Sequence, residues 1–96
     1  MASFIVRIVL HSKPPEHADY DKLHDAMEDT GFSRQIDNDE DGVWYHLPPA
    51  EYIIEGSYTL PQVCNKAKAA AKSVDPKYGI LTAEVTNYRW IGLEPV

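Results

Sequence analysis

The fold is decided by residues 3–11, which read Ser-Phe-Ile-Val-Arg-Ile-Val-Leu-His near the start of the chain. Side chains of a β-strand alternate between its two faces. One parity of this stretch is entirely apolar: Phe4, Val6, Ile8 and Leu10. The other parity is mixed: Ile5, Arg7, Val9 and His11. The alternation therefore predicts a strand that buries the first set and leaves the second set free to meet something else.

The rest of the chain predicts two helices and further strands. Tyr20, Leu23 and Met27 recur at helical spacing within residues 17–30, and Thr59 with Gln62 forms the capping-box start of a second helix. Asp75 and Pro76 end that helix. The later predicted strands are 32–37, 43–47 with a continuation over 51–58 after a proline kink, and 80–88.

The resulting order is βαββαβ, which places the chain in the α+β class. Two right-handed crossovers put both helices on one face of an antiparallel sheet, the ferredoxin-like arrangement. The inward-facing residues expected on the later strands are Val43, Tyr45, Leu47, Leu81, Ala83 and Val85. The 96 residues suit a single domain, 1–96, in which residues 89–96 form a short C-terminal tail.

Charge and cysteine content narrow the classes of function. The net charge is −6, with twelve acidic and four basic side chains in residues 1–55 against three and five in residues 56–96. An acidic chain argues against strong non-specific nucleic-acid binding, although a local basic face can bind phosphates. Cys64 is the only cysteine, and we find neither a signal peptide nor a membrane span of about 20 apolar residues. We therefore expect a cytoplasmic protein with no membrane partner.

The open face of the predicted sheet is the first candidate site. The residues expected there are Ile5, Arg7, Val9, His11, Trp44, His46, Thr82, Glu84 and Thr86, with Tyr88 and Trp90 beyond them. Its apolar members favour a homodimer interface, because a monomer rarely leaves such a patch wet. Aromatic rings beside basic groups also suit single-stranded RNA, which makes Arg7 and Trp44 candidate RNA-binding residues. Arg34 is a third candidate: its parity with Phe32 and Ile36 places it at the rim of the core or at a bulge, where it could extend to solvent or meet a phosphate. Coverage by the chain's own tail is the third alternative.

Two histidines are the candidate catalytic residues. His11 ends the first strand and His46 lies late in the third. An imidazole titrates near neutrality, so the two side chains could form an acid–base pair for RNA cleavage without a metal. The alternative is that each is an ordinary surface histidine. His17 and His24 read as ordinary helix residues.

The acidic stretch 37–42 matches the first half of a calcium-binding loop, D-x-D-x-D-G. The position that should supply the bidentate glutamate is Pro48 instead, and strands rather than helices flank the loop. We interpret the stretch as a solvated hairpin turn and predict no metal and no cofactor.

Four runs of sequence resemble the GhoS-type antitoxins of type V toxin–antitoxin systems. The runs are Phe4-Ile5-Val6-Arg7-Ile8-Val9-Leu10-His11, Tyr20-Asp21-Lys22-Leu23-His24-Asp25-Ala26-Met27-Glu28, Gly31-Phe32-Ser33-Arg34 and Tyr45-His46-Leu47-Pro48-Pro49-Ala50-Glu51-Tyr52. The resemblance implies an endoribonuclease antitoxin that cuts the messenger RNA of a small membrane toxin. It also implies a fold similar to the dimeric CRISPR adaptation nuclease, which has an acidic metal ligand near the end of its first strand. Here that stretch reads Leu10-His11-Ser12, which argues against a metal-dependent mechanism. The alternative function is a non-catalytic dimeric binding or regulatory module of bacterial or mobile-element origin.

Overall fold

The first strand lies at the centre of the main sheet. The computed structural model describes residues 2–14, 16–37 and 42–96. Its elements, in chain order, are β1 (Ala2–Leu10), α1 (Ala18–Asp29), β2 (Gln35–Asp37), β3 (Trp44–His46), β4 (Glu51–Gly56), α2 (Leu60–Lys72) and β5 (Tyr78–Val85). The chain is a small α+β domain consistent with the ferredoxin-like arrangement, so the predicted fold class is confirmed.

The sheet is divided where the sequence places its prolines. In the main sheet β1 pairs with β4 on one side and β5 on the other, both antiparallel. β2 and β3 form a separate antiparallel ribbon, which a single bridge between Ser33 and Ile53 joins to β4. Pro48 and Pro49 separate β3 from β4, because a proline has no backbone N–H to donate to a sheet ladder. The predicted interruption at the prolines is present, but the prediction that residues 51–58 continue the third strand is wrong, because β4 belongs to the main sheet and β3 to the ribbon.

The core lies between β1 and the two helices. The apolar parity of β1 is fully buried, as predicted, and it packs in one cluster with side chains from α1, α2 and β4. The buried residues of α1 are Tyr20, Leu23 and Met27, and those of α2 are Val63, Ala67, Ala70 and Ala71. The alanines let α2 approach the sheet closely. Both helices therefore cover the same face of β1.

The helix ends follow the predicted chemistry. Thr59 and Gln62 form a reciprocal capping box: the Gln62 N–H donates to the Thr59 hydroxyl over 3.3 Å, and the Thr59 N–H donates to the Gln62 side chain over 2.8 Å. Gly31 follows α1 at φ 102°, in the left-handed region that suits glycine after a helix, and its N–H donates to the carbonyl of Glu28 over 3.0 Å.

The predicted register of the last strand is wrong by one residue. Residues opposite each other in an antiparallel pair share a face. β5 begins at Tyr78, so Tyr78 and Ile80 stand opposite Leu10 and Ile8 on the helix-covered face. The residues that were expected to point inward lie on the open face instead: Leu81, Ala83 and Val85. Thr82, Glu84 and Thr86 are thereby lost from the predicted open face, the first two because they stand opposite Val6 and Phe4 and the last because it follows the strand.

Other differences are local. Val43 was expected in the core but is 37% exposed, because it precedes the short ribbon strand rather than belonging to it. Leu60, at the first position of α2, was expected in the apolar stripe of the second helix but is exposed. The prediction for the acidic turn falls mainly on residues 38–41, which lie outside the described part of the chain.

Candidate functional site

A hydrogen bond links His24 on α1 to Tyr52 on β4. Tyr52 stands opposite Val6 on the helix-covered face of the sheet and is fully buried. His24 lies beside the buried stripe of α1 and is half-buried. The Tyr52 hydroxyl and His24 Nδ1 are 2.7 Å apart, and the two ring centroids are 5.8 Å apart. Because one ring is held in the core, the hydrogen bond fixes the orientation of the other.

Burial keeps both members of the pair neutral. Desolvation lowers the pKa of His24, and the positive charge of Arg34 lowers it further. Carboxylates of α1 act in the opposite direction with smaller effects: Asp21, Glu28 and Asp25. Desolvation raises the pKa of the Tyr52 hydroxyl above its ordinary value, so that the hydroxyl remains protonated. At neutral pH the pair is therefore an uncharged imidazole held by an uncharged phenol.

The hydrogen bond also selects a tautomer. Within the described residues the Tyr52 hydroxyl has one hydrogen-bond partner, His24 Nδ1. A buried hydroxyl is best satisfied when it donates its proton, and Nδ1 must then be the acceptor. In a neutral imidazole that leaves the remaining proton on Nε2. His24 consequently presents an N–H donor on the side of the ring away from Tyr52.

Two depressions lie along α1, about one helical turn apart. The His24 depression, of about 390 Å³, is lined by Arg7, Ile8, Tyr20, His24, Pro48, Pro49, Ala50 and Glu51. The Arg34 depression, of about 270 Å³, is lined by Glu28, Phe32, Ser33, Arg34, Gln35 and His46. His24 and Glu28 are four residues apart on the helix, and His46 and Pro48 are separated by one residue on the facing chain. We refer to the two depressions together as the α1 groove.

A backbone turn builds one wall of the groove. The Glu51 N–H donates to the carbonyl of Pro48 over 3.2 Å, which closes a four-residue turn. Pro49 occupies the second position of this turn, and Ala50 the third at φ 63°. Proline followed by a positive φ is typical of a type II turn, which favours glycine at the position that Ala50 holds. The turn is therefore locally strained beside the groove.

Arg34 carries an unpaired charge in the groove. Its Nε atom is buried and has no hydrogen-bond partner among the described residues. In the same part of the chain, no carboxylate oxygen lies within 4.0 Å of its guanidinium, although Glu28 lines the same depression. The backbone is fixed, since the Leu47 N–H donates to the Arg34 carbonyl over 2.7 Å. A half-buried guanidinium that has no carboxylate partner among the described residues can accept an anion.

The structure brings together some of the predicted site residues and separates others. Arg7 lines the His24 depression, and Arg34 and His46 line the Arg34 depression. His11 lines neither depression; it is exposed and lies beside Gly79 on β5. Trp44 is 50% exposed and lines other depressions, together with Ser33 and Gln35. His11 and His46 therefore do not share a depression, and their pairing for catalysis stays a prediction.

His24 is the functional candidate that the sequence reasoning missed. It was interpreted as an ordinary residue of the polar helix face. Two signals were available: it follows Leu23 directly, at the border of the apolar stripe, and it lies four residues after Tyr20. A third signal lies outside the helix: Tyr52 on β4 has the parity that faces the core. No local pattern, however, states that a particular tyrosine will reach a particular histidine across the sheet.

The open face of the main sheet carries exposed apolar side chains, although Ile53 on the same face is only 6% exposed. Val9 is 46% exposed and Leu81 is 69% exposed, on neighbouring strands of this face. Arg7 lies beside them, and Glu51 and Glu55 follow on β4. The end of the C-terminal tail pairs with β3: the His46 N–H donates to the Glu94 carbonyl, and the Val96 N–H to the Trp44 carbonyl, both over 2.8 Å.

Tyr88 and Trp90, both predicted for the open face, pack with each other and with Tyr45, which was predicted to face inward. Trp90 lies 5.8 Å from Tyr45 and 6.1 Å from Tyr88, measured between ring centroids. The rings therefore hold the tail against the β2–β3 ribbon.

Among the described residues no three His, Cys, Asp or Glu side chains are grouped as a metal site requires, and no helix there is long and apolar enough to cross a membrane.

Comparison with other proteins adds no relative. No family model, curated protein or solved structure matches the chain.

Proposed function

We propose that the chain is an RNA-binding endoribonuclease antitoxin that acts on toxin messenger RNA, with the α1 groove as its site. The observation that carries the proposal is the α1 groove itself. Its two depressions beside α1 are lined by neutral His24, by the exposed imidazole of His46 and by the Arg34 guanidinium, whose Nε has no partner among the described residues. The sequence resemblance supplies the antitoxin role. A cytoplasmic location follows from a messenger RNA substrate.

These groups suit RNA cleavage by internal transesterification. The ribose 2′-oxygen attacks phosphorus, the bond from phosphorus to the 5′-oxygen breaks, and a 2′,3′-cyclic phosphate and a 5′-hydroxyl are formed. His46 accepts the proton of the 2′-hydroxyl, and a solvent water on the opposite side of phosphorus gives a proton to the departing 5′-oxygen. Arg34 stabilises the negative charge that builds on the phosphoryl oxygens. Arg7 at the other end of the groove provides a second cation for the RNA backbone.

The test is cleavage of a 5′-labelled, A/U-rich RNA by the purified protein, with and without EDTA. We expect EDTA-resistant cleavage that falls roughly a hundredfold in His46→Ala, within the range for loss of an acid–base group. His17→Asn is the matched control, since His17 is exposed and lines neither depression, and asparagine can keep the side-chain cap that His17 gives to the Asp19 N–H at the start of α1. His11→Ala decides whether His11 takes part. Intact RNA, or cleavage equal in wild type and the His46→Ala variant, would sink the proposal.

A second candidate function is a non-catalytic dimeric binding module, which the open sheet face favours. Its occupant would be a second copy of the chain. The apolar patch at Val9 and Leu81 gives the contact, while Arg7 with Glu51 and Glu55 makes the face self-complementary in charge across a two-fold axis. Light scattering at micromolar concentration should then show a dimer that Leu81→Arg converts to a monomer. A monomeric wild type rules this candidate out.

A further inference from the structure

We propose that the α1 groove holds a phosphate of the RNA backbone through the Arg34 guanidinium and the Nε2–H of His24, with Tyr52 as the positioning residue for that N–H. The inference rests on the proposed function only for the source of the phosphate, which is a ribonucleotide phosphodiester. It names the binding contacts, whereas the proposed function requires only that cleavage occurs.

The bridge between the two sheets places Arg34 beside the pair. Ser33 and Ile53 exchange both backbone hydrogen bonds, over 2.8 and 2.9 Å. Arg34 follows Ser33 and Tyr52 precedes Ile53, so the antiparallel register sets Arg34 and Tyr52 opposite each other on one face. Opposed residues of such a pair have Cβ atoms roughly 5 Å apart. The Arg34 side chain therefore leaves the backbone next to Tyr52, the residue that holds His24. The positive charge of Arg34 acts to lower the pKa of both His24 and the Tyr52 hydroxyl.

The buried Nε–H of Arg34 has no hydrogen-bond partner among the described residues. A half-buried cation with a buried, unsatisfied Nε–H has lost solvation without gaining a partner in the described part of the chain. Because Nε itself is closed to solvent, a phosphate in the groove would accept a charge-assisted hydrogen bond from the outer nitrogens of the same guanidinium. The Nε2–H of His24 adds a neutral donor, which binds a phosphate oxygen without the cost of burying another charge. Two donors of this kind recognise the phosphate rather than a particular base.

The other charged groups around the groove set the expected direction of each variant. Glu28 lines the Arg34 depression and Glu51 the His24 depression, and both oppose an anion. Asp21 and Asp25 lie on α1 on either side of His24, while Arg7 favours an anion from β1. Glu28→Gln should thus tighten phosphate binding, and Arg34→Gln should weaken it.

The experiment is an NMR titration of the ¹⁵N-labelled full chain with uridine 3′-monophosphate, with uridine as the control ligand. We expect the Arg34 Nε and His24 Nε2 signals to move with the nucleotide and not with uridine. Arg34→Gln should weaken binding roughly tenfold, in line with loss of one charge-assisted contact. Arg89→Gln, at an exposed arginine of the tail, should bind as the wild type does. Movement of both signals with uridine, or equal binding by Arg34→Gln, overturns the inference.

Tyr52→Phe tests the positioning role. The imidazole ¹⁵N shifts of His24 should change from Nε2-protonated to a mixture of tautomers, and binding should weaken, while Tyr78→Phe leaves both unchanged. An unaltered tautomer in folded Tyr52→Phe contradicts the role assigned to Tyr52. Phosphate binding without RNA cleavage would sink the proposed function and keep this inference. RNA cleavage without any response of the Arg34 and His24 signals to the nucleotide would keep the proposed function and overturn this inference.

Discussion

The bond between Tyr52 and His24 should be measurable as a coupling energy in the stability of the chain. Tyr52→Phe removes only the hydroxyl, and His24→Ala removes its partner at 2.7 Å. Net contributions of intramolecular hydrogen bonds are about 0.5–1.5 kcal/mol. We place this one near the upper end, at about 1–1.5 kcal/mol, because the phenol is fully buried and would lose its partner without gaining water.

A double-mutant cycle in urea gives the coupling directly. Each single variant should lose roughly 1–2 kcal/mol, and the double variant should lose less than the sum by the coupling energy. For a domain of this size, about 1 kcal/mol corresponds to a shift of roughly 4–8 °C in Tm. Tyr78→Phe is the matched control, because Tyr78 is a partly buried tyrosine on β5, which lies on the other side of β1 from the strand that carries Tyr52.

Tyr78→Phe combined with His24→Ala should therefore be additive. Additivity of Tyr52→Phe with His24→Ala within about 0.3 kcal/mol would refute the reasoning, because it would mean that the hydroxyl contributes nothing through the imidazole.

Three further predictions concern stability. Ala50→Gly should stabilise the chain by about 0.5–1 kcal/mol in urea denaturation, since glycine relieves the positive φ of the turn; a loss of stability would show that the turn is unstrained. The pKa of His24 is lower in the folded chain than in the unfolded one, so protonation favours unfolding. Stability should thus fall as pH drops below about 6.5, and less steeply in His24→Gln; parallel Tm profiles of the two proteins would contradict this. Thr59→Ala should cost about 1 kcal/mol through loss of the capping box, with Ser57→Ala, before the cap, near neutral.

The sequence predicts the central strand and the helices well because each shows its own periodicity. The apolar parity of β1 has no competing register, since a shift by one residue would bury Arg7 and expose Phe4. The stripes of α1 and α2 are equally one-sided. The ferredoxin-like arrangement then follows from the order of elements, because few topologies satisfy two right-handed crossovers.

The edge strand shows where the same reasoning fails. Residues 78–85 offer two apolar parities of similar quality, with Ile80 in one and Leu81 in the other. The choice between them is made by the pairing with β1, which sets Ile80 opposite Ile8 in the core. That contact is not local, so alternation along one strand cannot reveal it. The same limit explains why His24 was missed, because its partner Tyr52 lies 28 residues away.

The proline kink and the groove have one cause. A continuous strand from Trp44 to Gly56 would pair along its whole length and close against α1. Pro48 and Pro49 interrupt the ladder, so β3 and β4 diverge and leave the depressions between the turn and the helix. With the ladder interrupted, the Ser33–Ile53 bridge connects the β2–β3 ribbon to the main sheet, and it brings Arg34 next to Tyr52. The residues proposed to bind phosphate are therefore assembled by a break in the sheet.

Arg7 connects the groove to the open sheet face and limits how the two can be used together. It lines the His24 depression, yet its strand parity belongs to the open face. A second copy centred on Arg7 would take that cation from the groove, and RNA bound through it would disfavour such a dimer. A contact centred on the β5 side, where Leu81 is most exposed, leaves Arg7 accessible. Dimer formation and RNA binding are therefore compatible only when the interface lies toward β5.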